Sequence, residues 1–210
     1  MMLESIIIVL IVILISMTLH ELMHGFVAYK LGDSTAKDLG RLTLNPLKHL
    51  DPLMSVAFPL IMLLTGGPIF GAAKPVPINT RMLRYNEWGF ALVALAGPLT
   101  NFILAFIGYI FWHLSARVIG APDIIIIFWN FWVIVNLGFF AFNMLPLPPL
   151  DGSRLLYAVA PDAVRRIMEK MESFGIIFVI VFIFVAGALL SSIIGSIVGW
   201  ALWLFQSIIG

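Results

Sequence analysis

Of the 210 residues, 61% are apolar, 13% aromatic and only 11% charged, against roughly 25% charged in an ordinary soluble domain. Such a chain has too little polar surface to coat a water-facing fold, so lipid is its solvent. Twelve basic and eleven acidic residues leave a net charge of +1, with no basic excess to suggest nucleic acid, and the absence of cysteine excludes disulfides, thiolate zinc sites, iron–sulfur clusters and a thiol nucleophile.

The predicted elements follow from the stretches that lack Asp, Glu, Lys and Arg: 5–20, 52–73, 88–116, 124–150 and 173–210. A bilayer core about 30 Å thick needs about 20 apolar residues in a helix. The first stretch, continued through Ala28 or Tyr29, and the third and fourth each supply one span. The second differs: its apolar run at 53–64 is short, contains Pro59 and ends in Gly66-Gly67-Pro68. It reads as a re-entrant or interfacial hairpin at 53–68, because helix breakers at membrane depth are tolerated only against protein or a wet cavity. The last stretch would form a helix about 57 Å long at 1.5 Å per residue. That predicts two short crossings, or one span and an interfacial segment, with the break near Gly187, Ser191, Ser192, Gly195 and Gly199. Glu4 stands where a signal peptide carries Lys or Arg, and no small-residue cleavage motif follows, so the first span is expected to be retained. The fold class expected is an all-α polytopic membrane protein: one integral-membrane domain, 1–210, with a three-helix core within 5–160, a re-entrant hairpin, and one or two C-terminal membrane segments within 173–210.

Lysine and arginine placement predicts orientation. Lys30, Lys37, Arg41, Lys48, Lys74, Arg81 and Arg84 fall between the first and second core spans, and Arg154, Arg165, Arg166 and Lys170 follow the third. Only Arg117 lies in the opposite connection. If the hairpin does not cross, eleven of the twelve cations share one face, which is expected to be cytoplasmic, with the N-terminus outside a multi-pass cell-membrane protein.

Ionisable groups within the spans need a reason, since each costs roughly 2.5–3.5 kcal/mol at a helix centre. The first span carries His20-Glu21-Leu22-Met23-His24, an H-E-x-x-H pattern. Histidines four apart lie on one helical face, so both rings can reach one ion, and neutral imidazole suits zinc. Glu21 stands beside them as a candidate base for a water whose pKa the metal lowers to about 7. Without an ion, three costly groups would be buried uncompensated.

Such a site needs a third protein ligand and an open fourth position. Asp33, Asp38 and Asp51 are interspersed with cations and read as a solvated face, Glu87 and Asp123 flank spans, and His49 and His113 have no assigned role. Asp151 stands apart. It follows Pro146, Pro148 and Pro149, which must unwind the third span, and a carboxylate on unwound backbone at membrane depth faces a cavity. The expected topology puts it near the same membrane face as His20 and His24. The alternative is a helix N-cap paired with Arg154.

These residues resemble the site-2 protease family of zinc-dependent intramembrane metalloproteases. The resemblance rests on His20-Glu21-x-x-His24, on Gly97-x-x-x-Asn101 in the second core span, and on Asn143-x-x-Pro146-x-Pro148-Pro149-Leu150-Asp151-Gly152 in the third, in the family's order. Residues 40–46 are also similar to the segment after the metal helix in bacterial members. The likeness covers residues 5–160 and is closest to compact bacterial or archaeal members without a PDZ or nucleotide-sensing module. It implies one Zn²⁺ per chain bound by His20, His24 and Asp151, Glu21 as general base, and Asn143 and Asn101 as amides that position peptide or steady an oxyanion. Simple helix–helix hydrogen bonding is the alternative for the asparagines. The implied partners are the lipid bilayer and a transmembrane protein or peptide substrate, the implied reaction is peptide-bond hydrolysis in or beside a membrane span, and the oligomeric state is left open. A metal-ion carrier and a non-catalytic membrane scaffold are the rival readings.

Overall fold

The computed structural model describes residues 2–51 and 73–210; the expected hairpin at 53–68 lies outside the described residues. Among the described residues there are seven α-helices and no strand. They are α1 (Met2–Lys30), the single turn α2 (Thr35–Asp38), α3 (Asn86–His113), α4 (Asp123–Asn143), α5 (Gly152–Val159), α6 (Asp162–Ser173) and α7 (Ile176–Ile209). Four of them, α1, α3, α4 and α7, are long and apolar enough to cross a membrane. The expected all-α polytopic fold is observed.

The second core helix is the hub. Within its most apolar window α3 buries 44% of residues, against 22% for α1, 22% for α4 and 11% for α7, and it touches α1, α4, α5 and α7. Lipid is as apolar as leucine, so burying apolar surface does little to bring spans together; close backbone approach and van der Waals contact do it instead. The buried face of α3 fits that requirement, being built from Gly89, Ala91, Val93, Ala94, Ala96, Gly97, Pro98, Asn101, Ala105 and Gly108. Gly108 faces Trp132 of α4 so closely that a β-carbon there would overlap the indole, whose Nε1–H donates to the Leu104 carbonyl at 2.8 Å. Ala105, Val133, Leu137, Ala201 and Phe205 close a second seam among α3, α4 and α7.

The C-terminal stretch is one helix of 34 residues bent at Ala186, where φ and ψ are −114° and 19°. It counts as one candidate span, and the bend falls just before Gly187 rather than at Ser191 and Ser192. Serine at 196 returns its hydroxyl to the Ser192 carbonyl, which is how a helix absorbs serine without breaking.

Between α1 and α3 the polar connection folds back on α1. Asp33, expected on a solvated face, is fully buried: its carboxylate accepts the backbone N–H of Thr35 at 2.9 Å and of Asn79 at 2.6 Å. Arg41 donates to the carbonyls of Lys74 and Pro75, and the His49 carbonyl accepts the Lys74 N–H. His49 itself is buried and donates Nε2–H to the Thr43 carbonyl at 2.9 Å. The buried Asp33 carboxylate, the Arg41 side chain and the His49 carbonyl thus fix a non-helical run, residues 73–79, alongside the second half of α1.

Replacing Gly108 with Leu should destabilise the α3–α4 seam by about 1–3 kcal/mol through overpacking, whereas Gly138→Ala, where a β-carbon meets nothing within 4 Å, should be neutral or slightly stabilising. Thermal unfolding of the two variants in detergent micelles checks this contrast.

Candidate metal centre

His20 and His24 lie one turn apart on α1, both 7% exposed. Asp151 immediately precedes α5, where the chain leaves α4 through Pro146, Pro148 and Pro149 and doubles back. The reversal depends on Gly152, since a β-carbon there would strike the Met144 carbonyl and lie 2.7 Å from the Leu145 oxygen. Ser153, also fully buried, ties the turn with an Oγ–H bond of 2.6 Å to the Leu150 carbonyl.

The Asp151 side chain does not cap α5. Its Oδ2 lies 3.2 Å from His20 Nε2 and 3.3 Å from His24 Nε2, and the two Nε2 atoms are 3.0 Å apart. Arg154, the partner proposed for Asp151 under the capping alternative, instead makes a two-pronged pair with Glu172. The three residues predicted as ligands therefore converge, and they form the one group of metal-ligating type found among the described residues.

The hydrogen bonds behind the ligands decide the chemistry. His20 Nδ1 faces Asn101 Oδ1 at 2.5 Å, and His24 Nδ1 faces the Val93 carbonyl at 2.8 Å. Each partner is an acceptor, so each Nδ1 carries the proton and each neutral ring turns a bare Nε2 lone pair inward. Two lone pairs and a carboxylate then point at one place in a low-dielectric bundle, an arrangement that is repulsive until a cation sits among them. A tetrahedral ion with ligand bonds of about 2.0–2.1 Å would space its ligands by about 3.3 Å. The observed separations of 3.0–3.3 Å match. Two imidazole nitrogens and a carboxylate oxygen are a donor set that suits Zn²⁺.

Gly97 supplies the space. A β-carbon on it would lie 2.5 Å from His24 Nε2 and 2.6 Å from His20 Nε2, inside the volume an ion and its open coordination position need. The next residue, Pro98, has no N–H to give the Ala94 carbonyl. The Val93 carbonyl that receives His24 lies one turn before Gly97.

The remaining predicted residues separate. Glu21 accepts the Val76 N–H at 2.9 Å, so the carboxylate is fixed by the run at 73–79. Asn101 is fully buried and commits its amide within the bundle, donating to Asn136 Oδ1 at 2.9 Å and, at 3.5 Å, to the Ser16 carbonyl. Asn143 donates to the Phe139 carbonyl of its own helix at 3.0 Å. Asn136, not singled out from sequence, is also fully buried and donates to the Trp132 carbonyl at 2.9 Å. The signal that could have found it is a polar amide inside a span, the same cost that marked Asn101.

The family model for peptidase family M50 matches residues 8–121 and 120–187. The chain belongs to this family, the site-2 proteases. Among M50 relatives, it is 44% identical over 183 residues to a Bacillus subtilis (strain 168) protein named "Putative zinc metalloprotease YwhC", covering 82% of this chain and 78% of that one. It is 30% identical over 197 residues to "Putative zinc metalloprotease Rip2" of Mycobacterium tuberculosis (strain H37Rv), covering 92% and 71%. An archaeal protein of Methanocaldococcus jannaschii, "Putative zinc metalloprotease MJ0611", is 34% identical over 139 residues, covering 65% and 62%. No solved structure matches the chain significantly.

Gly97→Ala should abolish metal retention, with at least a tenfold fall in metal per chain after purification, while helix content measured by circular dichroism stays at the wild-type level. Metal analysis by plasma mass spectrometry reads the first quantity directly.

Proposed function

We propose that the protein is an intramembrane zinc metalloendopeptidase that hydrolyses peptide bonds in or next to transmembrane segments of membrane-protein substrates. His20, His24 and Asp151 would hold one Zn²⁺ per chain, and Glu21 would act as general base. The single observation that carries this reading is the convergence of two bare Nε2 lone pairs and the Asp151 carboxylate at one point of an apolar helix bundle. Membership of a peptidase family and zinc metalloprotease relatives support the same reading.

When bound, zinc lowers the pKa of a coordinated water to about 7 and polarises a carbonyl oxygen. The chain's own groups do the rest. Glu21 takes the proton of the attacking water and passes it to the leaving amine. Its Oε2 is fixed by the Val76 N–H, which leaves Oε1 to carry the proton. Asn101 receives the His20 Nδ1–H and so fixes the tautomer and ring orientation of a ligand, a common role for outer partners of metal histidines. Asn136 fixes Asn101 in turn, because its Oδ1 demands that the Asn101 amide present its N–H₂ to α4 and its oxygen to His20. With both N–H groups so committed, Asn101 serves the ligand rather than an oxyanion. Asn143, at the end of α4 beside the Pro-rich turn, would position the peptide or steady the oxyanion through the N–H that its bond to the Phe139 carbonyl leaves over.

A substrate span must unwind locally before it can react, since an intact helix keeps its carbonyls bonded to its own N–H groups. With a segment at 53–68 that does not cross, the loops that carry Asp151 and residues 73–79 would lie on the cytoplasmic side, where the cation count puts the excess of Lys and Arg. A metal carrier would be expected to show ligand-bearing segments in corresponding halves of the fold; the described residues hold one asymmetric group.

Glu21→Gln should lower cleavage of a reconstituted transmembrane substrate by about 10²–10⁴-fold and leave bound zinc unchanged. Cleavage at the wild-type rate would exclude Glu21 as the base. Asp151→Ala should strip the metal, and undiminished zinc in that variant would reject its ligand role. Asn136→Leu, close to isosteric but without the amide, should weaken zinc binding by about tenfold, read by competition with a chelator of known affinity.

A further inference from the structure

The helix that follows the site has two unlike sides. One is tied to α5: Arg154 holds Glu172, the Tyr157 hydroxyl donates to Glu169 at 2.6 Å, Arg165 donates to the carbonyls of Tyr157 and Ala158 at 3.0 and 3.2 Å, and Met168 is buried. These contacts fix the rotation of α6 about its axis. The other side is left facing outward and carries Arg166, Ile167, Lys170, Met171 and Phe174 along one face of the helix. Ile167 is 61% exposed and Phe174 57%. Arg166 and Lys170, one turn apart, have no ion-paired carboxylate among the described residues, so two like charges repel across a helical turn.

Chain connectivity states what this side meets. Phe174 caps α6, Gly175 turns with φ of +57°, and the membrane-spanning α7 starts at Ile176. The end of α6 is therefore held where a span enters the bilayer. A helix held at that level, with an apolar stripe bordered by unpaired cations, has the composition of one that lies in the headgroup region with its cations against anionic lipid.

We propose that the outward stripe of α6 is a binding site for anionic phospholipid, with Ile167, Met171 and Phe174 in the acyl boundary and Arg166 and Lys170 on the headgroup phosphate. The seat anchors the α5–α6 unit, and with it the turn bearing Asp151, to the membrane surface.

Native mass spectrometry of the detergent-solubilised protein mixed with phosphatidylglycerol or phosphatidylcholine tests the charge requirement. The wild type should retain phosphatidylglycerol preferentially, Arg166→Gln with Lys170→Gln should lose about fivefold for each charge removed, and Arg166→Lys should restore most of its share. Equal retention of phosphatidylglycerol by wild type and the double variant would overturn the proposal. Because the chain has no cysteine, single spin labels at Ile167→Cys, Phe174→Cys and Asp162→Cys in phosphatidylcholine–phosphatidylglycerol nanodiscs test the seating. Labels at 167 and 174 should collide with oxygen more than with a water-soluble nickel chelate, and the label at 162 the reverse. Water-like accessibility at 167 and 174, or dipolar coupling between labels of two copies, would assign the stripe to solvent or to a dimer and reject lipid as its occupant.

Discussion

Three lone pairs aimed at one point inside an apolar bundle are the constraint to which the rest of this structure answers. His20 and His24 can present bare Nε2 atoms only because Asn101 and the Val93 carbonyl take their Nδ1 protons. That choice of tautomer turns two lone pairs toward a carboxylate, an arrangement that is repulsive by itself and receptive to a cation. Three helices have to meet for it: α1 brings the rings, α3 brings both partners and the clearance at Gly97, and the turn after α4 brings the carboxylate.

The same demand explains why α3 is the central helix and why its buried face is made of small residues. A bulky helix could not approach α1 closely enough for a backbone carbonyl to reach His24, and in lipid small residues are also what allows spans to associate. Packing and chemistry therefore select the same residues here, and they cannot be assigned separately to stability or to function.

Around the centre, polar groups at membrane depth are spent on positioning. Asn136 and Asn101 link α4 through α3 to His20 on α1, while Glu21 is held by the Val76 N–H from a run that Asp33, Arg41 and His49 fix in place. Each such group would be costly in lipid without a partner. Each has one on another element, so the polar groups also lock the elements to one another.

The lipid environment, the spans, and the cluster of His20, His24 and Asp151 were legible in the sequence, because charge is so costly in a membrane that its few occurrences inside apolar stretches mark a site, and because three prolines within four residues must end a helix. Tertiary structure decided what depends on partners distant in the chain. Whether Asp151 caps a helix or faces the histidines turned on Gly152 and on Arg154 being taken by Glu172. Asp33, which local charge pattern placed in solvent, is buried because its partners are backbone N–H groups, one of them at residue 79, and a backbone donor leaves no trace in composition. For the same reason the sequence named Asn101 but not its task. An amide's role is set by which of its atoms meets which neighbour, and only the packing of α1, α3 and α4 supplies those neighbours.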